Sequence, residues 1–331
     1  MLAVVLLAGH ALRTMNHVRD NVDGGLSGTL ILLDILQAER ESRAGIRMSN
    51  AAPGTGPKLP TPRSLLAITA AVDVPRETVR RVAAALASAG WLQAAPQGGY
   101  ETSVRARRWF GLDHDLVPYA EFVWTAREVT AALAITSDGI DAWVGAHPWL
   151  TALATRREAV PSPAYLKTMP ALQEMLGRAT ADDKERAAGV VDGFLYRHLK
   201  RLRATFEGDL LLPLIIGEIA HRNIAMLGHR GDTTHQVTKI GSRFGSDSSE
   251  VRGDYLPTNA YSLSQSMGVP DATMRRKIAH LRTREWVSVD SGGNLAIIGE
   301  AVRQHSEQCN LDALNDMVAG YRSLAAMGMT T

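Results

Sequence analysis

Apolar residues recur at helical spacing along most of this 331-residue chain, but a stretch within Leu59 to Ser103 switches period in a definite order. Leu65 to Val72 is apolar enough for a short buried helix, and Ser64 just ahead of it suits an N-cap. Asp73-Val74-Pro75 reads as a turn. From Arg76 to Ala89, Val79, Val82, Ala83 and Leu86 fall at i, i+3, i+4 and i+7 and form one apolar stripe. Arg76, Arg80 and Arg81 lie away from that stripe, with Thr78 near the start. Gly90 stops the helix and Trp91-Leu92 opens a strand. Gln97-Gly98-Gly99 supplies a hairpin tip, and Tyr100 to Val104 returns.

The pattern is written a second time between Leu256 and Ile298. Val269-Pro270 matches Val74-Pro75, Thr273 matches Thr78, and Arg275-Arg276 matches Arg80-Arg81. Leu281 matches Leu86, Trp286 matches Trp91 and Gly293 matches Gly98, all at a constant offset of 195. A colinear, gap-free set that includes a tryptophan and an arginine pair marks an internal repeat. The copies share what precedes them. Leu26 to Arg43 reads as an amphipathic helix with Leu30, Leu33 and Leu36 apolar and Asp34, Glu39 and Arg40 on its polar side. Leu211 to Asn223 mirrors it, with Glu218 in the place of Asp34. A polar loop follows each: Gly45 to Pro62, punctuated by Gly, Pro, Ser and Asn, and Gly228 to Asp254, rich in Gly, Ser and Thr.

The remaining segments are expected to be helical. The apolar N-terminus has its basic residues after the apolar run and is far shorter than the ~20 residues of a membrane span. It therefore reads as a terminal helix packed on the body or on a second subunit. Between Arg105 and Thr205, Pro148, Pro161, Pro163 and Pro170 divide the chain into short helices. Trp109, Trp124, Trp143 and Trp149 read as core. Asp182 to Arg203 has helical spacing and a basic end in which His198 is expected at the surface; Asp182-Asp183 is a solvent-facing charged run.

Composition sharpens the picture only locally. The formal net charge is +2 and aromatics make up 5%. Arg63 to Arg108, however, holds seven basic and three acidic residues, and Asp271 to Arg303 holds six and four. The one cysteine, Cys309, excludes an intrachain disulfide and a cysteine zinc site and fits a reducing compartment. His221, His229 and His235 have no metal-ligand spacing. No phosphate-binding Gly loop, His-Glu-x-x-His or Gly-x-Ser-x-Gly elbow occurs, so no catalytic residue, metal or cofactor is assigned and a non-enzyme is expected.

A helix with an apolar back and a basic front, entered from a tight turn and followed by a hairpin, is the arrangement that places side chains in a DNA major groove. Arginine suits guanine O6/N7 and phosphate because its guanidinium forks. The candidate contacts in the first copy are Ser64, Arg76, Thr78, Arg80, Arg81, Gly98 and Tyr100. Those in the second are Thr273, Arg275, Arg276, Lys277 and Asn294.

Leu-Pro-Thr ahead of the first short helix, and Val-Pro-Arg-Glu-Thr-Val-Arg-Arg opening the next, resemble the winged-helix domain of GntR-type bacterial transcription regulators. The resemblance spans about 45 residues of the first copy and, more weakly, a similar length of the second. It implies DNA proximity for Arg63, Arg76, Thr78 and Arg80. The sequence departs from the family at Pro75, where a capping Ser is usual, in the length of the loop before Leu59, and at Asp271-Ala272 in place of Arg76-Glu77. The middle region carries no quotable effector-domain motif.

The expected fold is mainly α with small β-wings: two winged helix-turn-helix domains around a helical middle region. The boundaries are an N-terminal helix (1–23), a first winged domain (24–106), the middle (107–206), a second winged domain (207–305) and a C-terminal helix (306–331). The expected function is sequence-specific binding of double-stranded DNA by a cytoplasmic, nucleoid-associated transcription regulator with two readers per chain. Homodimerisation and a small-molecule effector stay open, and no membrane partner is expected. The alternatives are a plasmid replication initiator that binds origin repeats and a winged-helix interaction scaffold without DNA binding.

Overall fold

The computed structural model describes residues 2–50, 62–112, 116–134, 169–225 and 258–330. Two long helices open the chain, α1 (Leu2–Asn21) and α2 (Gly25–Asn50). The short α3 (Leu65–Val72) and α4 (Arg76–Ser88) follow, then the strands β1 (Leu92–Ala94) and β2 (Tyr100–Thr102) and the one-and-a-half-turn α5 (Val104–Trp109). Next come α6 (Val117–Ala134), α7 (Met169–Arg178), α8 (Ala181–Thr205) and α9 (Leu211–Ala225). The second short set is α10 (Ala260–Met267), α11 (Asp271–Thr283), β3 (Val287–Val289) and β4 (Leu295–Ile297), ending in the long α12 (Gly299–Ala326).

The described fold is mainly helical, with two antiparallel two-stranded sheets, β1-β2 and β3-β4. No described helix is long and apolar enough to cross a membrane. Most of both polar loops, Trp143, Trp149, Pro148, Pro161, Pro163, His229 and His235 lie outside the described residues.

Contacts group the described residues into two compact units, each assembled from separate stretches of chain. Among the described residues, the first draws on 13–50, 62–112, 116–123, 169–210 and 316–330, and the second on 2–12, 124–134, 211–225 and 258–315.

In the first unit α2 is central. Leu30 to Leu33, Ile35 and Leu36 are all at most 2% exposed, so this stretch is enclosed on every side rather than along one stripe. Helices α3, α4 and α8 and strand β2 pack against it. Gly28 permits the sharp entry into α2, since a Cβ there would meet the Asp23 carbonyl at 2.2 Å. Helix α4 buries Val79, Val82, Ala83 and Leu86, the stripe its spacing predicts. Ser64 caps α3, its Oγ accepting from the Ala67 N–H at 3.1 Å. Asp73 ends α3 in the left-handed region (φ 51°).

The structure corrects four expectations. Helix α2 continues to Asn50, because Gly45 costs only about 1 kcal/mol in a helix and no proline intervenes before Pro53. Asp34 and Glu39 do not face solvent; they are 3% and 4% exposed. Arg40 also turns inward, 2.8 Å from Asp192 of α8. His198 is buried rather than superficial and stacks on Phe194, one turn away, with centroids 5.7 Å apart. Asp34, Glu39 and Arg40 are covered because α8 and β2 pack on α2 in addition to α3 and α4. Trp124 is buried, while the half-buried Trp109 sits edge-on to Trp91 at 5.8 Å and to Phe110 at 4.6 Å.

Burial pushes the Asp192 carboxyl up to about 6, an effect the adjacent Arg40 only partly offsets. A folded-state value above the ordinary 3.8 means that protonation favours folding. The stability this group contributes is full below about pH 4 and is lost as pH rises through about 6. Asp192→Asn should therefore gain on the wild type by about 2 kcal/mol between pH 4.5 and pH 7, measured by urea unfolding at both values. A pH-independent difference between the two proteins would refute the burial effect.

Candidate nucleic-acid interface

The two short helix-turn-helix-hairpin sets share one backbone construction. Pro75 and Pro270 precede α4 and α11 with nearly identical backbone angles (φ −51°, ψ 135° and φ −53°, ψ 135°). Their carbonyls accept from Val79 at 3.0 Å and from Met274 at 2.9 Å. After each helix the tryptophan N–H returns to a leucine carbonyl, Trp91 to Leu86 at 2.8 Å and Trp286 to Leu281 at 3.0 Å. The hairpins share one register, with Leu92 opposite Thr102 and Val287 opposite Ile297. In front of each hairpin the incoming chain adds a bridge: Tyr100 donates to the Arg63 carbonyl at 2.9 Å and Leu295 to that of Thr258 at 2.7 Å. All these pairs lie 195 residues apart, so the sequence repeat is a structural one.

The hairpins are anchored to the preceding helix by matching side chains. The Glu39 carboxylate of α2 accepts from the Thr102 N–H at 2.5 Å and from its hydroxyl at 2.6 Å. In the second copy the Asn223 amide of α9 accepts from the Ile297 N–H at 3.1 Å and donates to the Leu295 carbonyl at 3.3 Å. Glu39 and Asn223 stand at the same spacing as Asp34 and Glu218, so the preceding helices belong to the repeat as well. Asp34 accepts from Arg63 at 3.0 and 3.2 Å and from the Tyr196 hydroxyl of α8 at 2.8 Å. Burial, reinforced by Asp34, raises the Tyr196 phenol above its ordinary range, and the hydrogen bond to Asp34 raises the Arg63 guanidinium. Glu218 holds Arg222, which reaches Thr258 at 3.0 Å and Ser266 at 2.6 Å.

The predicted contact residues divide into exposed and committed groups. Arg76, Arg80 and Arg81 are exposed on α4, Arg81 opposite its buried stripe and Arg76 and Arg80 along one flank of it, and Thr78 is half-buried. Arg80 donates to Glu77 at 2.6 and 3.0 Å. This hydrogen bond raises the Arg80 guanidinium and lowers the Glu77 carboxyl, and strand β1 of the hairpin packs beside the helix. Gly98 (φ 90°) forms the exposed tip and Tyr100 is half-buried. Gly99 cannot be replaced without strain, since its φ is 86° and a Cβ would meet the Arg63 carbonyl at 2.7 Å. Arg63 and Ser64 are committed elsewhere, Arg63 to Asp34 and Ser64 to its cap.

In the second copy Arg275 and Arg276 are exposed, while Thr273 and Lys277 are half-buried. Arg275 pairs with Asp271 at 2.7 Å. Asn294 is drawn into its own hairpin tip, where Asp290 accepts from its side chain at 3.0 Å and from the backbone N–H groups of Gly292 and Asn294 at 2.9 and 2.8 Å. The second tip thus carries a carboxylate where the first, Ala95 to Gly99, has none.

Three features escaped the sequence reading. Arg203 of α8 donates to the Asp73 carbonyl at 2.8 and 3.1 Å and so braces the first turn; nothing in the sequence links residues 130 apart. Arg105 lies 4.1 Å over the Trp91 ring and donates to the Ala89 carbonyl at 2.6 Å. The pairing of Arg80 with Glu77 and of Arg275 with Asp271 was available from their helical spacing.

Comparison with known proteins returns no matching family model, no matching curated protein and no matching solved structure.

The geometry separates a structural role for Arg63 from a DNA-binding one. Arg63→Ala leaves the 3%-exposed Asp34 without its cation, whereas Asp34→Asn leaves the 31%-exposed Arg63 free to turn to water. Arg63→Ala is expected to destabilise the protein by about 2–3 kcal/mol, and more than Asp34→Asn does, in urea unfolding. An unchanged unfolding midpoint together with weaker DNA binding would return Arg63 to the contact list.

Proposed function

We propose that the chain is a double-stranded-DNA-binding regulator of transcription, in which each helix-turn-helix-hairpin copy is a winged-helix reader and the first copy is GntR-like. The observation that carries this reading is the repeated construction itself. Each second helix is fixed from behind by a buried apolar stripe and presents exposed arginines in front, beside a glycine-tipped hairpin. A scaffold role requires the same buried stripes but no cationic front on both helices.

In this reading α4 and α11 enter the major groove, with Arg76, Thr78, Arg80 and Arg81 on one half-site and Thr273, Arg275, Arg276 and Lys277 on the other. The exposed ion pairs of Arg80 and Arg275 do not oppose this, because Glu77 takes the Nε and Nη2 side of Arg80 and Asp271 the Nε of Arg275, and the other N–H groups of each fork are left for phosphate or guanine. The hairpin of the first copy lies over adjacent phosphates. That of the second contributes less, since Asp290 places negative charge at its tip. Because the two readers differ, the operator is an imperfect pair of half-sites.

Fluorescence anisotropy on a random duplex should show the affinity falling linearly with salt on a log–log plot. Six neutralised phosphates would cost about a thousandfold between 50 and 200 mM. On a selected site Arg80→Ala should weaken binding about 5- to 150-fold and relax one base position. Salt-independent or absent binding would favour the interaction scaffold. Selection of tandem repeats from a replication origin would favour an initiator.

A further inference from the structure

The two readers hold corresponding arginines with carboxylates from different positions. Arg80 and Arg275 occupy the same place in the repeat, fifth in their helices. Arg80 is held by Glu77, three residues before it, through two hydrogen bonds of 2.6 and 3.0 Å. Arg275 is held by Asp271, four residues before it, at 2.7 Å. Where the first copy has Arg76-Glu77, the second has Asp271-Ala272, so the carboxylate has moved one residue and displaced an arginine. At ~100° per residue, a position three back lies about 60° to one side of the arginine's own column, and a position four back about 40° to the other. The backbones of the two helix starts coincide, so the side chains alone make the difference.

Resting on the proposed DNA-binding reading, we infer that Glu77 and Asp271 are positioning residues that lean Arg80 and Arg275 toward opposite flanks of their helices, so that the two half-sites place the guanine they present at different steps. Neither carboxylate needs to touch DNA. Each restricts the guanidinium fork before binding, and a fork that reads O6 and N7 together depends on its orientation. The first copy also offers Arg76, which is exposed and forms no ion pair among the described residues, as a second basic contact at the helix start. The second copy has none there.

The test is selection of bound sequences from a random duplex pool by the full chain. It compares the wild type with Glu77→Ala, Glu77→Gln and the double variant Arg76→Asp/Glu77→Ala, all at exposed positions. Glu77→Ala should broaden the base preference opposite Arg80 at least about fivefold, the low end of what a bidentate arginine–guanine pair discriminates. Glu77→Gln keeps an acceptor and should retain the preference. The double variant carries the second copy's Asp-Ala pair, and its first half-site should move its preferred guanine to the step found in the second. Duplex binding with unchanged half-site sequences in all three variants would overturn the positioning role and leave the DNA-binding reading intact. Failure of the wild type to bind duplex DNA would overturn both.

Discussion

A two-stranded hairpin laid against a helix leaves one strand edge unpaired, and the backbone groups on that edge must be satisfied once water is excluded. Both copies of the repeat meet this constraint with one device. A side chain of the preceding helix accepts the N–H of the second strand: Glu39 at Thr102, and Asn223 at Ile297. The bond fixes the hairpin to the preceding helix. The tryptophan N–H that returns to a leucine carbonyl of the short second helix then ties the hairpin to that helix, so helix, hairpin and lead-in segment share one frame. A charged acceptor serves in one copy and a neutral amide in the other, which shows that the geometry, and not the charge, is what the construction requires.

Around this frame the first copy has accumulated charge. Asp34 sits between Arg63 and Tyr196, and Arg40 faces Asp192. Buried pairs of this kind add little net stability, but losing one partner is costly, and so they hold helices α2 and α8 in a single register. Arg203 extends the same logic to the turn between α3 and α4. The second copy manages with lighter means: Arg222 spans Glu218, Thr258 and Ser266, and the Ser264 hydroxyl donates to the Val269 carbonyl at 2.7 Å to hold the equivalent turn.

Local structure was legible in the sequence where a periodicity or a cap decides it. The apolar stripe of α4, the Ser64 cap, the turn at Asp73 and the glycine tips all follow from nearest-neighbour chemistry, and the offset of 195 carries them into the second copy. What could not be read was the environment of polar residues on enclosed helices. Asp34, Glu39 and His198 have the spacing of a solvent face; the arrival of α8 and β2 on α2 buries Asp34 and Glu39, and His198 is buried on α8 itself, against Phe194. For the same reason Arg63, matched by family resemblance to a DNA contact, is held by a carboxylate 29 residues away. Among the remaining candidates, the arginines of α4 and α11 are exposed and lie outside the buried stripes, where their spacing puts them.

We propose that one polypeptide carries two DNA readers of common construction and unequal chemistry. Hydroxyl-radical footprinting of the full chain on a selected duplex, at a stoichiometry fixed by sedimentation, tests it most directly. The account predicts two protected half-sites per chain, of related but non-identical sequence, with protection at one lost in Arg76→Ala/Arg80→Ala and at the other in Arg275→Ala/Arg276→Ala. One protected half-site per chain, or loss of both on altering either copy alone, would contradict it.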